Sequence, residues 1–298
     1  MPQSRKLARN RFGVAGFLFC ITLLGAVAPV RAAAPFFFIQ LTDPQFGMFT
    51  DNKSFEQETA NFEFAVATIN RLHPAFVVVT GDLVNRTGDA AQIQECKRIL
   101  AKVNADIPVY NVAGNHDVGN TPTPKLIEAY TNAFGPDHYA FHFGNFEGIV
   151  LDSNLIQAPQ KVRDLAAQQK SWLAEELQGA PKSGVRHIVI FQHHPWFLKS
   201  VDEPDQYFNL PREQRTAYLP LFHQFGVEAI FCGHYHRPLT ASDGDLPVVV
   251  SGALGKPLGG SQSGIEIAIV RDAGIEHRYY ELGEIPTRVE LERNSTVK

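Results

Sequence analysis

One α/β domain with two mixed sheets is what the order of apolar runs predicts. Strand patterns alternate with helical ones from Phe36 to Asn111, the middle of the chain reads as a hairpin, and the end is a series of short strands between Gly-containing turns. Alternation of strand and helix favours parallel pairing through crossovers, whereas hairpins need antiparallel neighbours, so both kinds of pairing are expected.

The first strand is the apolar run ending at Leu41. A helix is expected near 54–72, with Phe62, Ala65, Val66 and Ile69 at helical spacing, Ser54 and Gln57 at capping-box spacing, and His73-Pro74 as a stop. "AFVVVTGD" is the next strand, residues 89–104 the next helix, and "IPVYNVAGNHD" the third strand. "HYAFHF" and "EGIVLDS" form the hairpin. A helix over 162–178 leads to "HIVIFQHH", and one over 211–225 leads to "VEAIFCGHYH". "LPVVVSGA", "GIEIAIVRD" and "GIEHRYYEL" are the closing strands. The folded domain is expected to span 35–283, followed by a loose polar tail over 284–298.

Of the 298 residues, 44% are hydrophobic and 19% charged, which allows a sizeable packed core and argues against disorder. A formal net charge of −4 gives no electrostatic reason to expect nucleic acid or an anionic membrane as partner. At the N-terminus Arg5, Lys6, Arg9 and Arg11 precede an apolar segment over 13–28, followed by "PVRAAAP". Those are the three parts of a secretory signal peptide, expected over residues 1–32, with export to the periplasm or the medium. The apolar run is shorter than the ~20 residues that span a bilayer, so no stable membrane anchor is expected after cleavage. Cleavage removes Cys20. Cys96, on the apolar side of a helical pattern, and Cys232, at the end of an apolar strand, are expected to be buried free thiols.

Five apolar strands end in polar clusters: Asp43-Pro44-Gln45, Gly81-Asp82, Gly114-Asn115-His116-Asp117, His193-His194 and Gly233-His234-Tyr235-His236. Ligands of open α/β sheets bind beyond the carboxyl ends of strands, where five such ends can converge. Each cluster alone is most often a turn, and a lone strand-side His is usually just hydrogen-bonded. The ordered set of five is harder to read as turns. Its Asp, Asn and His donors, with no Cys, suit Mn, Fe or Zn in a site with open positions better than a closed structural zinc.

The series resembles the calcineurin-like metallophosphoesterases, whose pattern is D-x-H, GD, GNHD, H and GHxH, and the resemblance covers nearly the whole mature chain. The stretches "DPQFG", "GNHDVGNTPT", "FQHHPWFLK", "YFNLP" and "GHYHR" resemble a subgroup of that family regarded as serine/threonine phosphatases. The resemblance implies an α/β/β/α sandwich of two mixed sheets flanked by helices, and two divalent metal ions, Mn, Fe or Zn. Carried over by position, Asp43 and His236 would hold the first metal, Asn115, His193 and His234 the second, and Asp82 would bridge both. His116 would be the catalytic histidine that is not a ligand, oriented by Asp117, and Asn115, His116 and His194 would face the substrate. Two positions depart from pattern. Gln45 stands where the family carries His, as a weakened ligand or a contact one layer out. Asn85 stands where the purple acid phosphatases carry Tyr. The implied activity is hydrolysis of phosphomonoesters, phosphoproteins included, by attack of a metal-bridging hydroxide. A phosphodiesterase for nucleotides or phospholipid head groups, and a binding module of the same fold without catalysis, are the competing readings. Selectivity is expected in loops such as residues 200–215.

Overall fold

The computed structural model describes residues 34–292, so the expected signal peptide lies outside the described residues. In chain order the elements are β1 (Phe36–Leu41), α1 (Glu56–Leu72), β2 (Val77–Val79), α2 (Ala90–Leu100), β3 (Val109–Asn111), α3 (Asn115–Val118), α4 (Pro124–Phe134), β4 (Tyr139–Phe143), β5 (Phe146–Val150), α5 (Ser153–Gln157), α6 (Arg163–Gly179), β6 (His187–Phe191), α7 (Arg212–Phe225), β7 (Val227–Cys232), β8 (Leu239–Asp243), β9 (Leu246–Val250), β10 (Gly264–Arg271) and β11 (Gly274–Glu281). One sheet has the order β11-β10-β1-β2-β3 and the other β4-β5-β6-β7-β9-β8. Both are mixed: β1, β2 and β3 run parallel while β10 is antiparallel to β1, and β5, β6, β7 and β9 run parallel while β4 and β8 are antiparallel edges.

Side-chain alternation turns this into four layers. Along β1, Phe37, Ile39 and Leu41 pack with Phe62 of α1 and Ile99 of α2, while Phe38 joins Phe76, Phe146, Phe191 and Phe231 between the sheets. On the far side Ile149, Ile190 and Ile230 pack under Leu173 and Leu177 of α6 and Phe222 of α7. Every central strand is covered on both faces, which is why these strands read as unbroken apolar runs. Cys96 and Cys232 are buried free thiols, as expected.

The carboxyl ends of β1, β2, β6 and β7 are tied together below the site. Gln40 is fully buried and donates both to Thr80 Oγ1 and to the carbonyl of Cys232, each at 2.8 Å, which links the first sheet to the second. Beyond the strands, Asp43 N donates to the Gly81 carbonyl, Gln45 N to that of Asp82, and Gly233 N to that of His193. The loops therefore continue the pairing of the strands that feed them.

Four features differ from the sequence reading. The capping box does not form: α1 starts at Glu56 with no side-chain cap, because the Ser54 backbone is engaged by the Thr50 hydroxyl instead. α2 ends at Leu100 rather than near 104. The three closing strands divide, β9 pairing with β7 in the second sheet while β10 and β11 extend the first. Finally, the segment after Gly283 is not loose throughout, since Ile285, Val289 and Leu291 pack against the α1/α2 side of the core and Arg71 donates to the carbonyls of Pro286 and Thr287. The apolar residues spaced along that segment were outweighed by its polar average.

Phe38 is the point where the sheets meet, stacked on Phe76 at 5.0 Å and edge-on to Phe191 at 5.5 Å and Phe231 at 5.2 Å. Phe38→Ala is expected to lower stability by ~3–5 kcal/mol in denaturant titration, the usual range for deleting a buried Phe side chain. A loss below about 1 kcal/mol would mean that the interface relaxes freely around the deletion.

Candidate metal centre

Five side chains at the strand ends sit on left-handed backbone although none is Gly: Asp43 (φ 50°), Gln45 (φ 42°), Asp82 (φ 51°), His234 (φ 68°) and His236 (φ 57°). Such a residue costs roughly 1 kcal/mol or more, and it persists only where surrounding contacts determine it. Here the inter-loop backbone bonds do so. Two glycines permit the crowding. A Cβ on Gly81 would meet His193 Nδ1 at 2.5 Å, and one on Gly114 would collide with the Asp82 carboxylate and amide.

Four imidazoles each have one ring nitrogen against a backbone carbonyl: His193 Nδ1 on Thr80 at 2.8 Å, His236 Nδ1 on Lys256 at 2.7 Å, His234 Nε2 on Tyr207 at 2.9 Å, and His116 Nδ1 on Asn85 at 2.7 Å. A carbonyl only accepts, so that nitrogen carries the proton and the other presents a lone pair when the ring is neutral. For His193 and His236 the lone pair is on Nε2, and for His234 it is on Nδ1.

Those lone pairs face oxygens rather than donors. His193 Nε2 lies 3.0 Å from Asn115 Oδ1, 3.3 Å from Asp82 Oδ2 and 4.0 Å from Asp43 Oδ1. His236 Nε2 lies 3.2 Å from Asp43 Oδ1, a buried oxygen with no hydrogen-bond donor. Two trios result, Asp82–His193–His234 and Asp43–Asp82–His236, in each of which one ligand atom per residue lies within 4.8 Å of the others. Asp82 belongs to both. Acceptors gathered this way repel unless something positive sits among them, and the charge balance reflects this. Burial alone would push the Asp82 and Asp43 carboxyls up, but the facing imidazoles, His193 for Asp82 and His236 for Asp43, hold both below the usual carboxylate range. Burial works to discharge His193, yet Asp82 and Asp43 raise its pKa to about 9. His234, dominated by burial and next by His193, falls to about 4 and stays neutral. Two Asp, three His and an Asn oxygen form a set of nitrogen and oxygen donors that fits divalent cations.

The direction of the Gln45 amide is set by a chain of neighbouring amides. Gln92 Oε1 accepts from the backbone N–H groups of Asn85 and Arg86, so its Nε2 must donate, and it does so to Asn52 Oδ1 at 2.9 Å. Asn85 Nδ2 donates to the same oxygen at 2.8 Å, which leaves Asn85 Oδ1 to accept from Gln45 Nε2 at 3.3 Å. Gln45 Oε1 is thereby left buried and without a donor, the form a hard cation binds. Asn85, noted in the sequence only for not being Tyr, thus orients both Gln45 and His116.

The expected role of Asp117 is corrected. Its carboxylate accepts from Gly114 N at 2.8 Å and Val84 N at 3.1 Å, while the His116 ring is held by the Asn85 carbonyl. Asp117 thus braces the GNHD turn through backbone, while burial, and next the charge of Asp82, raise its carboxyl to about 8. His116 is tied to the cluster from its backbone, whose N–H donates to Asp82 Oδ1 at 2.8 Å. His194 faces the same space from the side. Its Nδ1 lies 2.9 Å from the Ser153 hydroxyl, which also accepts its backbone N–H, and burial and then His234 keep its pKa well below the ordinary histidine value. In the tautomer in which the hydroxyl donates to Nδ1, Nε2 is left as a neutral donor.

Tyr207 was not identified from sequence. Half exposed on the 200–215 loop, it accepts from Asn115 Nδ2 at 3.2 Å through its hydroxyl and holds His234 through its carbonyl. With Asn115, Asn120, Asn154, Gln157 and His194 it lines a cavity of about 190 Å³ beside the cluster. The loop is braced by Glu203, which accepts from Leu198 N and Asn209 Nδ2, and by buried Arg215, which donates to the carbonyls of Val201, Glu203 and Leu210.

The model of the calcineurin-like phosphoesterase family matches residues 38–238. A Bos taurus protein named serine/threonine-protein phosphatase CPPED1 is 39% identical over 266 residues, which cover 84% of this chain and 85% of that protein. Its Homo sapiens counterpart of the same name is 38% identical over 267 residues, with 84% and 85% covered. Among solved structures, a dimetal phosphatase from Danio rerio superposes with a TM-score of 0.56 at 16% identity, covering 84% of this chain and all (100%) of that one. The motif series, seated on one set of strand ends, and the family match that spans it lead to one assignment: the chain belongs to the calcineurin-like phosphoesterase family.

Proposed function

We propose that this phosphoesterase hydrolyses phosphomonoesters, phosphoserine and phosphothreonine side chains of proteins among them, with two divalent cations held around Asp82. The observation that carries the reading is the sharing of the Asp82 carboxylate between the two donor trios. The name of the CPPED1 relatives supports the substrate class. Asp43, Gln45 and His236 would hold one cation, Asn115, His193 and His234 the other. When bound, the cations supply Lewis acidity toward a phosphoryl oxygen and a lowered pKa for water. Manganese, iron and zinc all suit the donors, and the neutral amide oxygen of Gln45 tilts the first position toward the harder ions.

The protein's own residues account for the rest. His116, with Nδ1–H fixed on the Asn85 carbonyl, leaves Nε2 open, and in its doubly protonated form the ring would pass the Nε2 proton to the departing alkoxide oxygen. His194 Nε2–H is a neutral donor for a phosphoryl oxygen. The 190 Å³ cavity under Tyr207, lined by amides, is the place for the alcohol portion of the ester. A scaffold without catalysis would have no need of an oriented His116. We also propose that the chain is exported to the periplasm or medium, a reading supported by the N-terminal pattern; N-terminal sequencing of secreted protein should then give Ala33 or Pro35 as the first residue.

With added Mn²⁺, nitrophenyl monoester is expected to turn over well ahead of the diester, and a large diester preference would contradict the substrate class. His116→Ala should lower turnover by about 10²–10⁴-fold with metal content unchanged, the usual worth of a positioned acid. Asp82→Asn should instead empty at least one metal position by elemental analysis. Loss of metal from His116→Ala would make His116 a ligand. For Gln45, dialysis against a mild chelator should remove one cation before the other. Gln45→His should slow that loss and favour zinc, and an unchanged order and rate of metal release would show that Gln45 does not touch the cation.

A further inference from the structure

Far along the sheet from the strand-end loops, the second sheet carries a buried carboxylate that faces a second acid. Glu147 lies in β5, where alternate residues share a face. Ile149 and Leu151 on its face pack with Leu173 and Leu177 of α6, so Glu147 is turned toward α6 as well. It is 1% exposed, and among the described residues no backbone N–H, hydroxyl or amide donates to either of its carboxylate oxygens. Leaving a buried carboxylate unsatisfied is costly.

Two other ligand-type side chains meet it. His142 of β4 is its directly opposed partner in the antiparallel register, and Glu176 projects from α6 between the turns that carry Leu173 and Leu177. One nitrogen or oxygen from each of the three lies within 4.8 Å of the others. Burial, and after it the facing Glu176 carboxylate, push the Glu147 carboxyl up to about 7. His142 is exposed, which gives an ion a route in from solvent.

We propose that His142, Glu147 and Glu176 bind a divalent cation of the zinc class, which clips α6 to the β4–β5 hairpin. One imidazole and two carboxylates are a donor set that zinc accepts, and three protein ligands leave a position for water. The cation would neutralise the opposed carboxylates and give both orphaned oxygens of Glu147 a partner. The competing occupant is a single proton shared by the two acids. None of the three residues belongs to the strand-end cluster, so this site is separate from the phosphoesterase centre.

The test is zinc stoichiometry of the full chain, measured by competition with a chromophoric chelator, in the parent and in His142→Ala and Glu176→Gln. Both positions are at least partly exposed, so the variants should fold, and near-ultraviolet circular dichroism checks that they do. Each variant is expected to bind one zinc fewer per chain than the parent, or to bind it at least ~10-fold more weakly, since loss of even an outer partner of a ligand costs that much. Zinc should also raise the melting temperature of the parent more than that of either variant. Equal stoichiometry and equal zinc-dependent melting in all three would overturn the proposal and leave the shared proton as the occupant.

Discussion

Asp82 offers its carboxylate to both donor trios while its Oδ1 accepts the backbone N–H of His116. A group in that position couples three things that could otherwise vary independently: where each of two cations would sit, and where His116 stands relative to them. It can do so only because Gly81 and Gly114 lack side chains, for a Cβ on Gly114 would occupy the carboxylate's own place. The left-handed backbone at Asp82 is part of the same constraint. The turn that aims the carboxylate is strained, and the pairing of Gln45 N with the Asp82 carbonyl holds it there.

Around that carboxylate the protein fixes direction mostly with backbone. Carbonyls of Thr80, Asn85, Tyr207 and Lys256 set which nitrogen of each imidazole is protonated. Amide N–H groups of Asn85 and Arg86 set the direction of a chain of four side-chain amides that ends at Gln45. Backbone groups cannot swap donor for acceptor, so the lone pairs they leave are preorganised and not adjustable. Gln45 differs from an imidazole in this respect. Its amide could present either end, and only the chain through Gln92, Asn52 and Asn85 makes the oxygen face free.

Much of this was legible in the sequence because each ligand sits within a few residues of a strand end, and apolar runs mark strand ends well. Asp43, Asp82, Asn115, His193, His234 and His236 come together as their positions implied. What was not legible depends on contacts between loops distant in sequence. Asp117 follows His116 directly and reads as its partner, yet a residue in a tight helical turn more easily reaches back to Gly114 N than sideways to the neighbouring ring. Asn85 and Tyr207 reveal their roles only once three loops are placed side by side. Ser54 fits a capping box by spacing, but spacing cannot show that Thr50 has already taken its backbone groups. Local pattern thus indicated which residues gather at the strand ends, and tertiary contact decided which way they face.

Asp82 would serve two cations at once, and anomalous diffraction from crystals grown with Mn²⁺ shows directly whether it does. Two anomalous peaks are expected, both within coordinating distance of the Asp82 carboxylate, one shared with Asp43 and His236 and the other with His193 and His234. A single peak, or two peaks of which only one touches Asp82, would contradict it.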